Sequence, residues 1–466
     1  MRCRWSLERL APAMGDPPEG KVGISPTPRI GAGRATLGAL VTQLLQDLIR
    51  HNTVNPPGSE REAQEHLANL LDEAGFAVQL LGAQAERPNL VATLEGPDEG
   101  PTLGFLGHVD TVLADPEAWT RDPWAGDIAD GYVWGRGALD MKSQVAAEVA
   151  AAVALAREGW RPACGELKIL SLVDEETGGE LGAQWLCRRH PDTARCDLLL
   201  NEGGGAVLAY RGRRYYPVCC AEKGVFRFRV TTSGAAGHAS VPMLGDNALL
   251  KMAPLLERLR AQPPYDPTDE PRAVLRSLGV EADGDAAEAV LTVNEHEPRL
   301  AVLLQAMLGV TVTPTRIKAS DKINVIPASA ELQVDCRVPP GLDEELVLTR
   351  VRTLLGEDGY SLELFEKVAG NRSPMESALM DRIAAWVDRH DAGAAVVPTQ
   401  LPAFTDSRHF RAAFPDCIAY GFFPMRHQGL FEMWPLLHGA DERIDLRDLE
   451  FATAFFTDVA RETLGG

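Results

Sequence analysis

Apolar and polar positions along this chain switch between a helical period and the denser pattern of buried strands. From about residue 35 to 51, leucines and a valine recur at helical spacing, and Asn55-Pro-Pro-Gly58 ends that stretch. A second helix is expected over 60–74, then strands at 76–81 and 89–94. Residues 102–111 read as a strand that delivers His108 and Asp110 at its C-terminal end. Asp140 stands just before a long alanine-rich helix running to about 158. A strand at 167–173 leads into Glu175 and Glu176, and one at 197–200 leads into Asn201-Glu202 and a glycine turn. This alternation predicts an α/β fold with a mostly parallel, covered sheet.

The pattern changes after Cys220. Residues 225–232 alternate as a half-exposed strand, with Gly237-His238-Ala-Ser just beyond. A helix is expected over 247–261, then a polar, proline-bearing, acidic segment over 262–295 and another helix near 300–308. Strands follow at 323–325 and 330–338, a helix at 341–355 and a strand at 361–368. That strand-helix-strand-strand-helix-strand order predicts a small α+β, ferredoxin-like domain. The α/β character then returns, with a helix over 377–390, a loop over 404–409, a strand over 417–421 and a final helix over 445–464. The expected layout is a disordered tail over 1–35, a main domain from 36–221 and 371–466, and an inserted domain over 222–370.

Composition narrows the class. A length of 466 residues suggests about two to three domains, and 45% hydrophobic content suits substantial cores. A net charge of −20 argues against nucleic acid and anionic membrane surfaces as partners. No apolar run approaches the ~20 residues of a membrane span. The eight cysteines include no CxxC pair, as expected of a reduced, cytoplasmic protein without structural disulfides or a thiolate zinc site. The Arg-, Pro- and Gly-rich start lacks an apolar signal core.

The candidate chemistry centres on Leu170-Ser-Leu-Val-Asp-Glu-Glu-Thr-Gly-Gly179. Two ionised carboxylates at the end of a buried strand repel each other and are costly to desolvate, and a cation beside them removes both difficulties. His108, Asp140, Glu176, Glu202 and His438 supply nitrogen and oxygen ligands suited to Zn²⁺, with Co²⁺ or Mn²⁺ as alternatives. With two histidines among these five, a carboxylate must bridge if two metals are held, and Asp140 is the central candidate. Two metals a few ångströms apart can acidify a water and polarise a carbonyl. On extended backbone Glu175 faces away from Glu176 and is free to act as general base. Asp110, two residues after His108, can accept the imidazole N–H. Taken singly, each of these is an ordinary cap, turn or loop residue. Taken together and in this order, they point to a metal site.

With these motifs assembled, the sequence from about residue 36 resembles the cocatalytic dizinc metallohydrolases that include aminoacylase, glutamate carboxypeptidase, acetylornithine deacetylase and succinyl-diaminopimelate desuccinylase. The resemblance implies a zinc-exopeptidase-like catalytic domain with an inserted lid and dimerisation domain. It implies two zinc ions per chain, one on His108, Asp140 and Glu202 and the other on Asp140, Glu176 and His438. Glu175 would be the base and Asp110 the orienting carboxylate. His238 resembles the lid histidine that reaches a partner subunit's site and stabilises an oxyanion. Asn324 in Asn-Val-Ile-Pro and Arg337 in Val-Asp-Cys-Arg-Val resemble groups that hold a substrate carboxylate, with Arg408 a further candidate. His409 and His427 match no role and read as loop residues. Glu202, where dipeptidase and tripeptidase branches often carry Asp, and Lys322-Ile-Asn-Val-Ile-Pro327 look similar to the deacylase side, near carboxypeptidase S and N-fatty-acyl-amino-acid hydrolases.

The expected activity is cleavage of the amide of an N-acyl-amino acid or small peptide bearing a free carboxylate, in a homodimer. A dipeptidase or aminopeptidase of the same family is the nearest alternative. A non-catalytic metal-binding dimer is the alternative from another class, and the intact Glu175 counts against it. The sequence leaves the acyl group and the physiological metal open.

Overall fold

The computed structural model describes residues 36–466; the expected tail over 1–35 lies outside them. Among the described residues the larger sheet has ten strands. Its main path runs Ala77–Leu81, Asn89–Glu95, Cys164–Leu172, Asp98–His108, Leu198–Asn201, Ile418–Gly421, Arg213–Glu222, Asn371–Arg372, and both Ala395–Leu401 and Leu208–Tyr210 also pair with Arg213–Glu222. The middle of the sheet is parallel: Asp98–His108 lies between Cys164–Leu172 and Leu198–Asn201, and Ile418–Gly421 continues the parallel set. Pairs toward the edges, such as Ala77–Leu81 with Asn89–Glu95, are antiparallel.

Strands buried on both faces need apolar side chains at successive positions, and the central strands supply them. Leu103 and Phe105 enter one layer with Leu44, Leu449 and Phe456 from the helices Leu37–Arg50 and Leu446–Leu464. Leu106 enters the opposite layer with Leu186 and Phe410, from the helices Ala183–Arg189 and Ser407–Ala413. The alanine-rich helix Lys142–Arg157 is buried along nearly its whole length. Its first residue, Lys142, donates to the carbonyls of Leu48 and His51 at 2.9 and 2.8 Å, placing a cation at the C-terminal end of the first helix.

The second sheet has four antiparallel strands in the order Thr311–Lys318, Ser329–Val338, Gly224–Ser233, Ser361–Val368. The helices Ala248–Arg258 and Glu344–Leu355 pack on it through Met252, Leu255, Val347 and Val351. The strand and helix order matches the expectation, with one correction. The second strand is Thr311–Lys318, whereas Val325–Ile326 pairs with Gly237–His238 in a separate two-stranded ribbon. Pro314 is tolerated because its strand lies at the sheet edge.

Two further readings are corrected. The segment over 262–295 is not only polar linker: it contains the helices Asp269–Ser277 and Ala286–Asn294, and Pro298–Met307 follows. Val274, Leu275, Val290, Val293 and Leu300 recur at helical spacing beneath the acidic surface, and they pack with Leu208, Tyr215 and Val397 of the larger sheet. This insertion therefore leaves the second sheet's sequence and docks on the first. Residues 404–409 are not all loop, since the helix Ser407–Ala413 begins there and carries Arg408 and His409.

Lys223 joins the strands Arg213–Glu222 and Gly224–Ser233. It is 1% exposed, and its ammonium donates to the Gly309 carbonyl. Burial lowers its pKa to about 7. Between pH 7 and the ordinary lysine value the unfolded chain holds a proton that the folded chain does not, so this residue's contribution to stability rises with pH across that window. Wild type should therefore gain stability relative to Lys223→Met between pH 7 and pH 10, as read by parallel urea titrations. A pH-independent difference would refute the assignment.

Candidate metal centre

The site forms where the parallel strands end, the usual place for ligands in open α/β sheets. His108 closes the strand Asp98–His108 and is 1% exposed. Glu202 follows Leu198–Asn201. Asp140 lies in the connection just before Lys142–Arg157, and His438 follows the short 3₁₀ segment Trp434–Leu436 with φ of 58°. Glu175 and Glu176 do not sit on extended backbone as expected; Glu175–Thr177 is a single 3₁₀ turn entered through Asp174 at φ 72°. With three residues per turn, neighbouring side chains there diverge by about 120°, which sends the two carboxylates to different partners.

His108 Nε2 lies 3.3 Å from Asp140 Oδ1, 3.7 Å from Glu202 Oε1 and 4.0 Å from Glu175 Oε2. His438 Nε2 lies 3.1 Å from Asp140 Oδ2 and 3.3 Å from Glu176 Oε2. Asp140 thus turns one oxygen to each imidazole. Ligands of a tetrahedral ion bound at about 2.0–2.2 Å stand about 3.3–3.6 Å from one another, close to the 3.1 to 3.7 Å that separate these imidazoles from Asp140, Glu176 and Glu202.

The donors also fit a cation chemically. Among the described residues, His108 Nε2 and Glu176 Oε1 are buried with no hydrogen-bond partner, a costly condition unless something else satisfies them. Burial, and then the Glu202 carboxylate, push Glu175 well above the usual carboxylate range. Burial and Asp140 do the same to Glu202. Hydrogen bonds that its imidazole donates to Asp140 and Glu176 raise the pKa of His438 to about 10. These shifts disfavour uncompensated negative charge at the cluster, and metal binding would release whatever protons the ligands hold.

Three supports hold this cluster; Asp110 is signalled by its place two residues after His108, and the other two carry no local sequence signal. Asp110 faces His108 Nδ1 with its backbone carbonyl at 3.0 Å and its carboxylate at 3.4 Å. The same carboxylate accepts the backbone N–H groups of Glu175 and Glu176 at 3.2 Å each and Asn55 Nδ2 at 2.9 Å, so it fixes the turn as well as the imidazole. Glu442, fully buried, accepts from the N–H groups of Gly137, Leu139 and Asp140 at 3.1, 2.6 and 3.0 Å, and from Arg136 at 2.5 Å. Arg87 pairs with Glu60 at 2.6 Å and with Asp174 at 3.1 Å. Partners this distant in the chain cannot be paired from one sequence.

The residues expected to bind substrate divide into two groups. Arg408 and Arg337 converge on Phe404, at 3.7 and 5.4 Å from its ring centre. Arg408 also donates to the Gly178 carbonyl at 2.8 Å, beside the Glu175 turn. Asn324 and His238 are not brought to the cluster: both are exposed, and Asn324 offers its backbone carbonyl to Ala239. His238 Nδ1 lies 2.7 Å from Ser240 Oγ, with no ion pair among the described residues. His409 belongs to the helix Ser407–Ala413, and burial followed by Arg408 lowers it to about 4.

A strand-end cluster of two histidines and four carboxylates on this fold defines a hydrolytic metalloenzyme. The sequence profile of peptidase family M20/M25/M40 matches residues 104–462, and the chain belongs to that family. It is 27% identical over 433 residues to a succinyl-diaminopimelate desuccinylase from Cereibacter sphaeroides, covering 90% of this chain and 97% of that one. A probable carboxypeptidase S-like protein from Dictyostelium discoideum is 25% identical over 394 residues, covering 80% of this chain and 74% of its own. Among solved structures, an M20 family metallo-carboxypeptidase from Sulfolobus solfataricus superposes with a TM-score of 0.68 at 17% identity, over 90% of this chain and 98% of that chain.

Removing one partner of a buried ion pair leaves the other charge unpaired, at about 3–5 kcal/mol. Arg87→Met is expected to lose stability on that order in urea unfolding, and Arg87→Met with Glu60→Leu to recover most of it. An Arg87→Met midpoint equal to wild type would show that the pair does not hold the turn.

Proposed function

We propose that this enzyme holds two zinc ions per chain and cleaves the amide of an N-acyl-amino acid, or of a small peptide with a free C-terminal carboxylate. The observation that carries the reading is Asp140, with one oxygen toward His108 and the other toward His438, amid three more carboxylates. His108, Asp140 and Glu202 would hold one ion, and Asp140, Glu176 and His438 the other. When bound, the ions would supply Lewis acidity and an acidified water.

The chain's own groups do the rest. Glu175, whose carboxyl is raised well above its ordinary range by burial and Glu202, takes the proton of the attacking water and delivers it to the leaving amine. Asp110 keeps the His108 ring oriented. The guanidiniums of Arg337 and Arg408 beside Phe404 supply planar forks for the substrate carboxylate.

Residues 222–370 act as lid and dimerisation domain in this reading. His238 and Asn324 then serve the site of a second copy, His238 donating to the developing oxyanion and Asn324 to the carboxylate. Their exposure supports action in trans, as do the exposed apolar residues Met243, Leu244 and Ile323 close to them in the chain, at 90%, 78% and 103% exposure. The cytoplasm is the proposed compartment, supported by seven described cysteines that are all unpaired. Among the described residues no helix is long and apolar enough to cross a membrane.

Zinc-reconstituted protein should hydrolyse N-blocked, carboxylate-bearing substrates in a panel that also contains free-amine dipeptides. Glu175→Gln should lower kcat by about 10²–10⁴, and chelation should abolish turnover. Turnover of the free-amine dipeptides alone would move the enzyme to the dipeptidase side, and silence with zinc bound would favour a non-catalytic dimer.

For the trans assignment, inactive His238→Ala and Glu175→Ala proteins should regain activity when mixed under conditions that exchange subunits. No recovery after demonstrated exchange would exclude it.

A further inference from the structure

A cavity of about 430 Å³ opens directly from the metal cluster: Asp140, Glu175, Glu176, Glu202 and His438 form one side of it. That volume lies within the range that encloses a drug-sized ligand, about 300–1,000 Å³. Much of its apolar lining comes from the insertion, from a helix inside the segment expected to be polar and acidic and from the helix expected near 300–308. Val274 and Leu278 of the helix Asp269–Ser277 and its end, and Leu300, Leu303 and Met307 of Pro298–Met307, face the cavity. Tyr215 and Val397 of the larger sheet, which pack in one cluster with these side chains, line it too. Among the described residues no lysine or arginine lines it. Arg337 and Arg408 stand outside the lining, against Phe404, which does line it.

We infer that the helices Asp269–Ser277 and Pro298–Met307 build the acyl pocket and make the enzyme selective for a large, uncharged, apolar acyl group. The inference rests on the amidohydrolase reading given above and specifies its substrate. An acidic acyl group would carry its carboxylate into a pocket already bordered by carboxylates and lacking a basic side chain other than His438, and an unpaired buried charge is strongly disfavoured. A short acyl group would leave most of the apolar wall uncovered. A long one covers it, at about three- to fourfold in affinity per methylene buried. The two guanidiniums outside the lining, with Arg337 also paired to Asp335 at 2.7 Å and Arg408 to the Gly178 carbonyl at 2.8 Å, would serve the carboxylate of the amino-acid half through their remaining donors. The preferred substrate is thus amphiphilic, apolar on the acyl side of the scissile amide and anionic on the other.

Leu303 is the residue to vary, because it is only partly buried and reaches the cavity from the insertion. The test compares kcat/KM of the zinc-reconstituted enzyme on acetyl, hexanoyl, decanoyl and succinyl derivatives of one amino acid. In parallel, calorimetry measures binding of acetate, decanoate and succinate. The decanoyl amide should exceed the acetyl amide by at least 100-fold and the succinyl amide by more, and decanoate should bind at least tenfold tighter than succinate. Leu303→Trp should lower the decanoyl-to-acetyl ratio at least tenfold, and Leu303→Arg should raise the succinyl-to-acetyl ratio at least tenfold. Each ratio is taken within one variant, so partial misfolding does not mimic the effect. Rates flat or falling with chain length, or decanoate binding that Leu303→Trp leaves unchanged, would overturn the pocket assignment while leaving the amidohydrolase reading intact. If no amide in the series is cleaved, the amidohydrolase reading falls and the calorimetry alone decides the pocket: chain-length-dependent binding lost in Leu303→Trp supports it, and its absence refutes it.

Discussion

Mutual repulsion among crowded, half-buried carboxylates is the constraint around which this molecule is arranged. Asp140, Glu175, Glu176 and Glu202 approach one another at the ends of parallel strands, where burial raises the free energy of every uncompensated charge. A fold that keeps four such groups together must hold their backbones rigidly and offer them positive charge. The parallel sheet does the first by bringing separate strand ends to one edge. Two imidazoles begin the second, and the donor geometry leaves room for cations to complete it.

Rigidity comes from an outer ring of polar groups rather than from the ligands themselves. Glu442 gathers the amides of the Asp140 connection, Asp110 gathers those of the Glu175 turn, and Arg87 with Asn55 ties Asp174 to both Glu60 and Asp110. These groups are almost wholly buried and satisfied by named partners, which favours a single arrangement of the turn over several. The site's preorganisation is therefore a property of residues that never reach substrate.

The candidate cluster and the parallel centre were legible in the sequence because His108, Glu175, Glu176 and Glu202 follow apolar strands and Asp140 precedes a long helix, the most periodic parts of the chain. The order of the inserted sheet was legible for the same reason. His438, by contrast, follows a short 3₁₀ segment with no such marker. Three features were hidden. The helices Asp269–Ser277 and Ala286–Asn294 are only nine residues long each and lie in a segment rich in proline, aspartate and glutamate, so their short buried stripes were masked by the surrounding composition. The strands Arg213–Glu222 and Ala395–Leu401 hold Pro217 and Pro398 and begin or run near charged residues, which blurs the strand pattern. The 3₁₀ turn of Glu175 and Glu176 depends on Asp110 and Asp174, and no local rule distinguishes it from a strand end. The roles assigned to the two carboxylates did not need the extended backbone that first suggested them, because a three-residue turn separates the side chains too.

The cluster also links the two parts of the proposed chemistry. Glu176 faces His438 and Asp140, while Glu175 faces His108 and Glu202, so adjacent residues serve different ends of one site. The most direct test of this account is metal stoichiometry by mass spectrometry of the zinc-reconstituted, dialysed protein, with Asp140→Asn alongside. Two zinc ions per wild-type chain, and fewer than one in Asp140→Asn, is the result that a shared aspartate requires. One ion per wild-type chain, or undiminished zinc in Asp140→Asn, would contradict it.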